Sequence, residues 1–189
     1  HGFVDFAGFP KDSYYLFQSQ WTNKEDAPMA YIVPDDWNVW SDGDDVLVEV
    51  YTNCPKAELF LNGESLGVRK FAKKTTTFGI DYYETMEATA DDATNTSDVN
   101  TGGYLSPNGE YGYLHLTWDV PYEAGNLKVV AYDEDGTALA EYEVDTYSAP
   151  KSIELEADKN AMKSDGDGMI YVTASIVDEN GVLCRDADK

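Results

Sequence analysis

The sequence predicts a mainly β protein: an antiparallel β-sandwich with one N-terminal helix and a partial second β module. Three observations carry that reading. Apolar residues alternate with polar ones in several separate runs, such as Val46, Val48 and Val50, the period of a half-buried strand. Asn62-Gly63 stands between two such runs and is a strong two-residue hairpin signal. Only one stretch, residues 10–21, places apolar side chains at helical spacing.

The elements follow in chain order. The chain opens at His1 on an apolar, Gly-rich stretch to Pro10, which reads as part of a longer polypeptide. A helix is predicted over 10–21. Pro10 suits a first-turn position and Asp12 the positive end of the helix dipole. Tyr14, Phe17 and Trp21 recur at spacings of three and four, with Gln18 between them. That aromatic stripe is expected to be buried against the following β domain or a domain outside this chain. Residues 22–45 read as an irregular connector with Pro28, Pro34, Gly43 and five aspartates (Asp35, Asp36, Asp42, Asp44, Asp45). Strands are then expected at 46–50, 57–61 and 64–70. Residues 113–119 alternate again through Leu114, Leu116 and Trp118; 127–132 and 138–146 form the last pair around an Asp133–Gly136 turn. Between them, 91–107 is almost free of apolar residues and reads as a long mobile insertion. Ala149-Pro150 marks a boundary. After it, Ile153, Leu155 and Ala157, then Ile170, Val172, Ala174 and Ile176, start a second β unit of about 40 residues, short of the ~100 of a full sandwich. The expected organisation is 1–29, helix and connector; 30–147, sandwich; 148–189, incomplete module with exposed strand edges.

Composition narrows the function. Of 189 residues, 36 are Asp or Glu and 13 are Lys or Arg, for a net charge of −23. Phosphate backbones and anionic lipid surfaces are bound by Lys and Arg, so nucleic acid and membrane-surface binding are not expected. The 13% aromatic content argues against an acidic disordered tail. No apolar run reaches the ~20 residues of a membrane span, and no secretory signal pattern is seen. Cys54 and Cys184 lie far apart, no CxxC pair exists, and the histidines are only His1 and His115; two unpaired thiols and no zinc site are expected. Asp133–Gly136 and Asp165–Gly168 resemble calcium loops only superficially. Six residues after their glycines stand Tyr142 and Ala174, where an EF-hand needs Glu, so both read as Asp/Gly turns.

A family resemblance enters on several segments, most specifically Gly8–Tyr15 and Ala57–Gly67. Gly8-Phe9-Pro10-Lys11-Asp12-Ser13-Tyr14-Tyr15, continuing to Gln18-Ser19-Gln20-Trp21, resembles the last helix of the catalytic (β/α)8 barrel in bacterial family 2 glycoside hydrolases of the β-galactosidase type. Ala57–Gly67 resembles a hairpin of the immunoglobulin-like domain that follows the barrel, and Leu127–Tyr132 a later strand of it. Pro34–Trp40 is similar to that domain's aromatic entry. Ile153–Asp158 and Tyr171–Gly181 look like the start of a further immunoglobulin-like module. One departure stands at Asp36, where family members usually carry His before the Trp-Asn pair; the role of that His is not carried over.

The resemblance implies that both catalytic glutamates lie on earlier barrel strands. Retention needs two carboxyls roughly 5–5.5 Å apart across the sugar bond, and a barrel site draws its residues from several strand ends. Glu58, Glu64, Glu84 and Glu87 are therefore read as solvated surface carboxylates, with no catalytic residue, metal or cofactor in this chain. The expected role is a noncatalytic accessory and structural fragment of an extracellular or cell-surface bacterial glycosidase, partnered by the catalytic barrel of the same polypeptide. Two alternatives stay open. One is a carbohydrate-binding module, because sugars stack on exposed rings beside polar groups; Trp37, Trp40 and Asn38 are the candidate glycan contacts, with Tyr82, Tyr83, Tyr104, Tyr111 and Tyr113 flanking the insertion. The other is adhesion or self-association through the edge strands of 148–189.

Overall fold

The computed structural model describes residues 2–85, 113–164 and 166–187; the 91–107 segment expected to be an insertion lies outside them, as do Glu87, Tyr104 and Tyr111. The chain divides into two compact units, His1–Val144 and Asp145–Lys189.

The first unit is a mainly β structure with one helix, α1 (Asp12–Trp21). Its strands are β1 (Ala30–Val33), β2 (Asp45–Thr52), β3 (Lys56–Leu61), β4 (Glu64–Thr75), β5 (Asp81–Thr85), β6 (Leu116–Pro121), β7 (Asn126–Tyr132) and β8 (Ala138–Asp145). They form a three-stranded sheet, β1-β2-β6, and a five-stranded sheet, β5-β4-β3-β7-β8. Alternation decides what each sheet buries. On β2 and β6, Val46 faces Val120, Val48 faces Trp118 and Val50 faces Leu116. On β3 and β7, Ala57 faces Ala131, Leu59 faces Val129 and Leu61 faces Leu127. These inner faces close into one core with Ile32, Trp37 and Phe71. Each such Val or Leu side chain contributes roughly 1.5–3 kcal/mol by leaving water.

The Asn62-Gly63 turn forms as expected, with both residues at positive φ (51° and 83°). Asn62 also braces the neighbouring turn: its Oδ1 accepts from the Asn126 N–H (2.9 Å) and its Nδ2 donates to the Ala124 carbonyl (3.2 Å). Gly125, at φ 135°, lies against that amide, and a Cβ there would stand 1.9 Å from Asn62 Oδ1.

Several elements differ from the sequence reading. The helix begins at Asp12 rather than Pro10, which instead bridges to Val4. The connector hides β1, whose alternation is masked because Ala30, Tyr31 and Ile32 are all buried, the sandwich covering one face and α1 the other. Strand β4 runs on to Thr75 to pair with β5, which the sequence reading did not assign. Strand β6 starts three residues later, at Leu116.

In the second unit, β9 (Ser152–Ala157) and β10 (Val172–Val177) form an antiparallel hairpin. Leu155 faces Ala174 and Ile153 faces Ile176, giving one apolar ladder whose Ile153, Leu155 and Val172 are all exposed. The unit is closed by the Asp178–Gly181 turn. The Asp178 carboxylate accepts from the backbone N–H groups of Ser148 (2.9 Å), Asn180 (2.8 Å) and Val182 (2.9 Å), and from the Ser148 hydroxyl (3.1 Å). Those donors, the Ser148 N–H first, hold its pKa down at about 2. The folded value lies below the ~3.9 of an unfolded Asp, so this contribution is complete above that value and is lost as pH falls through 2. Circular dichroism or NMR of the 145–189 unit is therefore expected to show acid loosening between about pH 4 and 2 in the wild type. Asp178→Asn is expected to weaken the turn already at neutral pH and to flatten that transition.

Candidate docking surface

Helix α1 is tied to the sandwich through one face. Tyr15 and Leu16 pack against Met29, Tyr31 and Tyr51, and Ser19 is buried. The Tyr15 and Tyr31 rings stack with centroids 3.8 Å apart, and the Tyr142 ring lies 4.9 Å from Tyr31. The Tyr31 hydroxyl donates to Asp12 Oδ1 (2.9 Å), which fixes the first turn of the helix. Burial, and then that bond to Asp12, push the Tyr31 phenol well above its ordinary pKa.

The last turn is fixed by Asn53, at the end of β2. Its Nδ2 donates to the Ala27 carbonyl (2.9 Å) and to the Thr22 hydroxyl (3.0 Å), and its Oδ1 accepts from the Met29 N–H (3.0 Å). Beside it, the Thr52 hydroxyl donates to the Met29 carbonyl (2.6 Å). Lys24 adds an ionic tie to the β7–β8 turn, 2.7 Å from Asp133 and 3.2 Å from Glu134. The bond to Asp133 holds the ammonium pKa above its usual range. Hydrogen bonding with Glu134, then the bond from Lys24, holds the Asp133 carboxyl below its own.

The opposite face of α1 carries the stripe predicted to be buried, and the sandwich does not bury it: Tyr14, Phe17 and Trp21 are all exposed, Trp21 at 73%. The inner face is the one that carries Tyr15 and Leu16, where Ser19 is buried and Gln20, a polar residue that the apolar pattern passed over, donates to the Leu114 carbonyl (3.4 Å). Phe17 instead packs with Trp21 (centroids 4.8 Å) and with Phe3 (4.6 Å). Phe3 is delivered by a small N-terminal loop. Asp5 Oδ1 accepts from the Ala7 and Phe9 N–H groups, and the Lys11 N–H donates to the Phe3 carbonyl (2.9 Å). An apolar groove of about 290 Å³ runs beside this cluster, between Leu16, Phe17 and Trp21 on α1 and Thr76 and Tyr82 of the β4–β5 hairpin.

The residues singled out from sequence fall in different places. Trp37 is 0% exposed, with its indole N–H donating to the Glu123 carbonyl (3.0 Å) and its ring 5.2 Å from Tyr122; it has no free face for a sugar. Asn38 is half-buried, and Trp40 is 36% exposed. Glu84 is buried rather than solvated and accepts from the Tyr82 hydroxyl (3.1 Å). Glu58 accepts from Ser65 and Tyr132. Tyr83 stacks on Phe71 at 6.0 Å. Asp133–Gly136 forms a turn whose acidic side chains hold Lys24 and cap Thr137. Cys54 and Cys184 are buried and unbridged, and burial raises both thiol pKa values. Among the described residues, no three His, Cys, Asp or Glu side chains converge as a metal site. Asn53 was not singled out from sequence; an Asn after a strand of alternating valines reads as a turn residue, and nothing local points to its bonds back to residues 22–29.

Comparison with known proteins adds the following. A family model described as Domain of unknown function (DUF4982) matches residues 43–91 and 94–140. The β-galactosidase BoGH2A of Bacteroides ovatus is 35% identical over 188 residues, 99% of this chain and 17% of the relative. Among solved structures, a β-glycosidase from Bacteroides vulgatus is similar with a TM-score of 0.70 and 29% identity, over 97% of this chain and 18% of that one. A glycosyl hydrolase family 2 member from Bacteroides cellulosilyticus matches with a TM-score of 0.65 and 28% identity, over 96% of this chain and 22% of that one. The chain thus spans about a fifth of the length of these relatives.

Proposed function

Because the chain belongs to the family described as Domain of unknown function (DUF4982), and resembles one segment of family 2 glycoside hydrolases, we propose that it is a noncatalytic accessory part of such an enzyme. Its work is mechanical. The sandwich holds α1 by its inner face and offers the outer face to the catalytic body of the same polypeptide. The observation that carries this reading is the exposed Phe3–Phe17–Trp21 cluster on a helix whose other face is pinned by Tyr31 and Asn53. Clustered exposed aromatics of this kind mark interaction surfaces in soluble proteins. The parent reaction is the retaining hydrolysis of a β-galactoside or related β-glycoside, with both carboxylates supplied from outside this chain. Glu58 and Glu84 are engaged in structural hydrogen bonds, which fits a chain without catalytic acids.

The test is an assay of the isolated chain and of the full-length polypeptide on chromogenic β-galactosides and β-glucuronides. Turnover is expected only from the full-length protein. Turnover by the isolated chain at a comparable rate would overturn the reading.

A second reading, glycan binding, is favoured by the exposure of Val39 and Trp40 beside Asn38 in the connector. Calorimetry of Trp40→Ala against wild type with galactosides checks it, and absence of heat from both would remove it.

A further inference from the structure

Strand β4 outruns its inner neighbour. Its residues up to Lys70 are registered on β3, whereas Phe71–Thr75 are registered on β5. Residues 72–84 therefore project as a two-stranded arm. Its base is anchored: Phe71 is in the core and stacks on Tyr83, and Glu84 is buried. The tip is built rather than loose. The Thr76 N–H donates to the Ile80 carbonyl (2.8 Å), the Gly79 N–H to the Thr76 carbonyl (2.9 Å), the Ile80 N–H to the Thr76 hydroxyl (3.1 Å), and the Thr75 hydroxyl to Asp81 (2.7 Å). This ordered tip holds Phe78 at 90% exposure and Ile80 at 65%.

An isolated two-stranded ribbon is marginal in water, and an exposed Phe on its tip adds nothing to its stability. The arm also forms one wall of the groove whose other wall is the aromatic face of α1. The arm's Lys73 is paired with Asp81 (2.9 Å), and the groove itself is lined by apolar and neutral polar side chains.

We propose that the cleft between the arm and α1 receives a bulky apolar side chain from the catalytic body of the same polypeptide. The proposal rests on the accessory-domain reading above and adds the site and chemistry of the contact. A groove of about 290 Å³ takes one or two large side chains, and it is continuous with the docking face of α1. The relatives matched are about five times longer than this chain, so the remaining polypeptide is ample. A second copy is disfavoured because two chains of charge −23 repel.

Thiol labelling tests it. Phe78→Cys and, separately, Trp21→Cys are made in the isolated chain and in the full-length polypeptide, where the native Cys54 and Cys184 are buried and slow. Maleimide labelling at both positions is expected to fall at least about tenfold in the full-length protein, since thiol reactivity follows access. Protection at position 21 without protection at 78 would overturn the arm contact and leave the accessory reading standing. Protection at neither would overturn both.

Discussion

Trp37→Ala is expected to lower the stability of the 1–144 unit by about 3–5 kcal/mol, the range for removing a buried aromatic side chain. The indole is wholly buried among residues of both sheets, so its removal opens a void that Tyr122 and Val46 cannot fill without leaving their own positions. Against a total stability of roughly 5–15 kcal/mol for a domain, that is a large fraction. Trp37→Phe keeps most of the volume and loses the bond to the Glu123 carbonyl, worth about 0.5–1.5 kcal/mol net. Guanidinium unfolding is expected to show a lower midpoint for alanine than for phenylalanine, with little change in slope. A wild-type midpoint for Trp37→Ala would place the ring outside the core.

Asn53→Leu is expected to act differently, releasing α1 while sparing the sheets. Leucine matches the volume but strands the buried Met29 N–H, at about 1–3 kcal/mol for a buried group left unpaired, and releases the part-buried Ala27 carbonyl. These groups belong to the segment joining α1 to β1, so the loss falls on the helix attachment. Amide exchange is expected to rise across α1 and residues 22–30, with β3 and β7 protected as before. Uniform exchange across the unit would mean that helix and sandwich unfold together and that Asn53 is no separate clamp.

The legible parts of this fold were those whose side chains see water on one face. Strands β2, β3 and β7 alternate because their outer faces are solvated, and Asn62-Gly63 reads as a turn because its backbone requires positive φ. Strand β1 was hidden because α1 covers its outer face, so both sets of side chains are buried and no period survives. Strand β5 is short and carries Asp, Glu and two Tyr, which read as insertion flank. The helix itself was legible, but its orientation was not. Two faces of Asp12–Trp21 carry aromatics, and the inward one is chosen by the stacking of Tyr15 on Tyr31 and by the bond from Gln20 to the Leu114 carbonyl, contacts to residues distant in sequence. Trp37 and Trp40 look alike in the connector; only the packed structure separates a core indole from a half-exposed one.

The central claim is that the outer face of α1 is a surface for the rest of the polypeptide. Hydroxyl-radical footprinting of Phe17 and Trp21, compared between the isolated chain and the full-length protein, tests it most directly. Strong oxidation in the isolated chain and protection in the full-length protein are predicted. Equal oxidation of Trp21 in both would contradict it, because the indole would then face water whether or not the enzyme body is present.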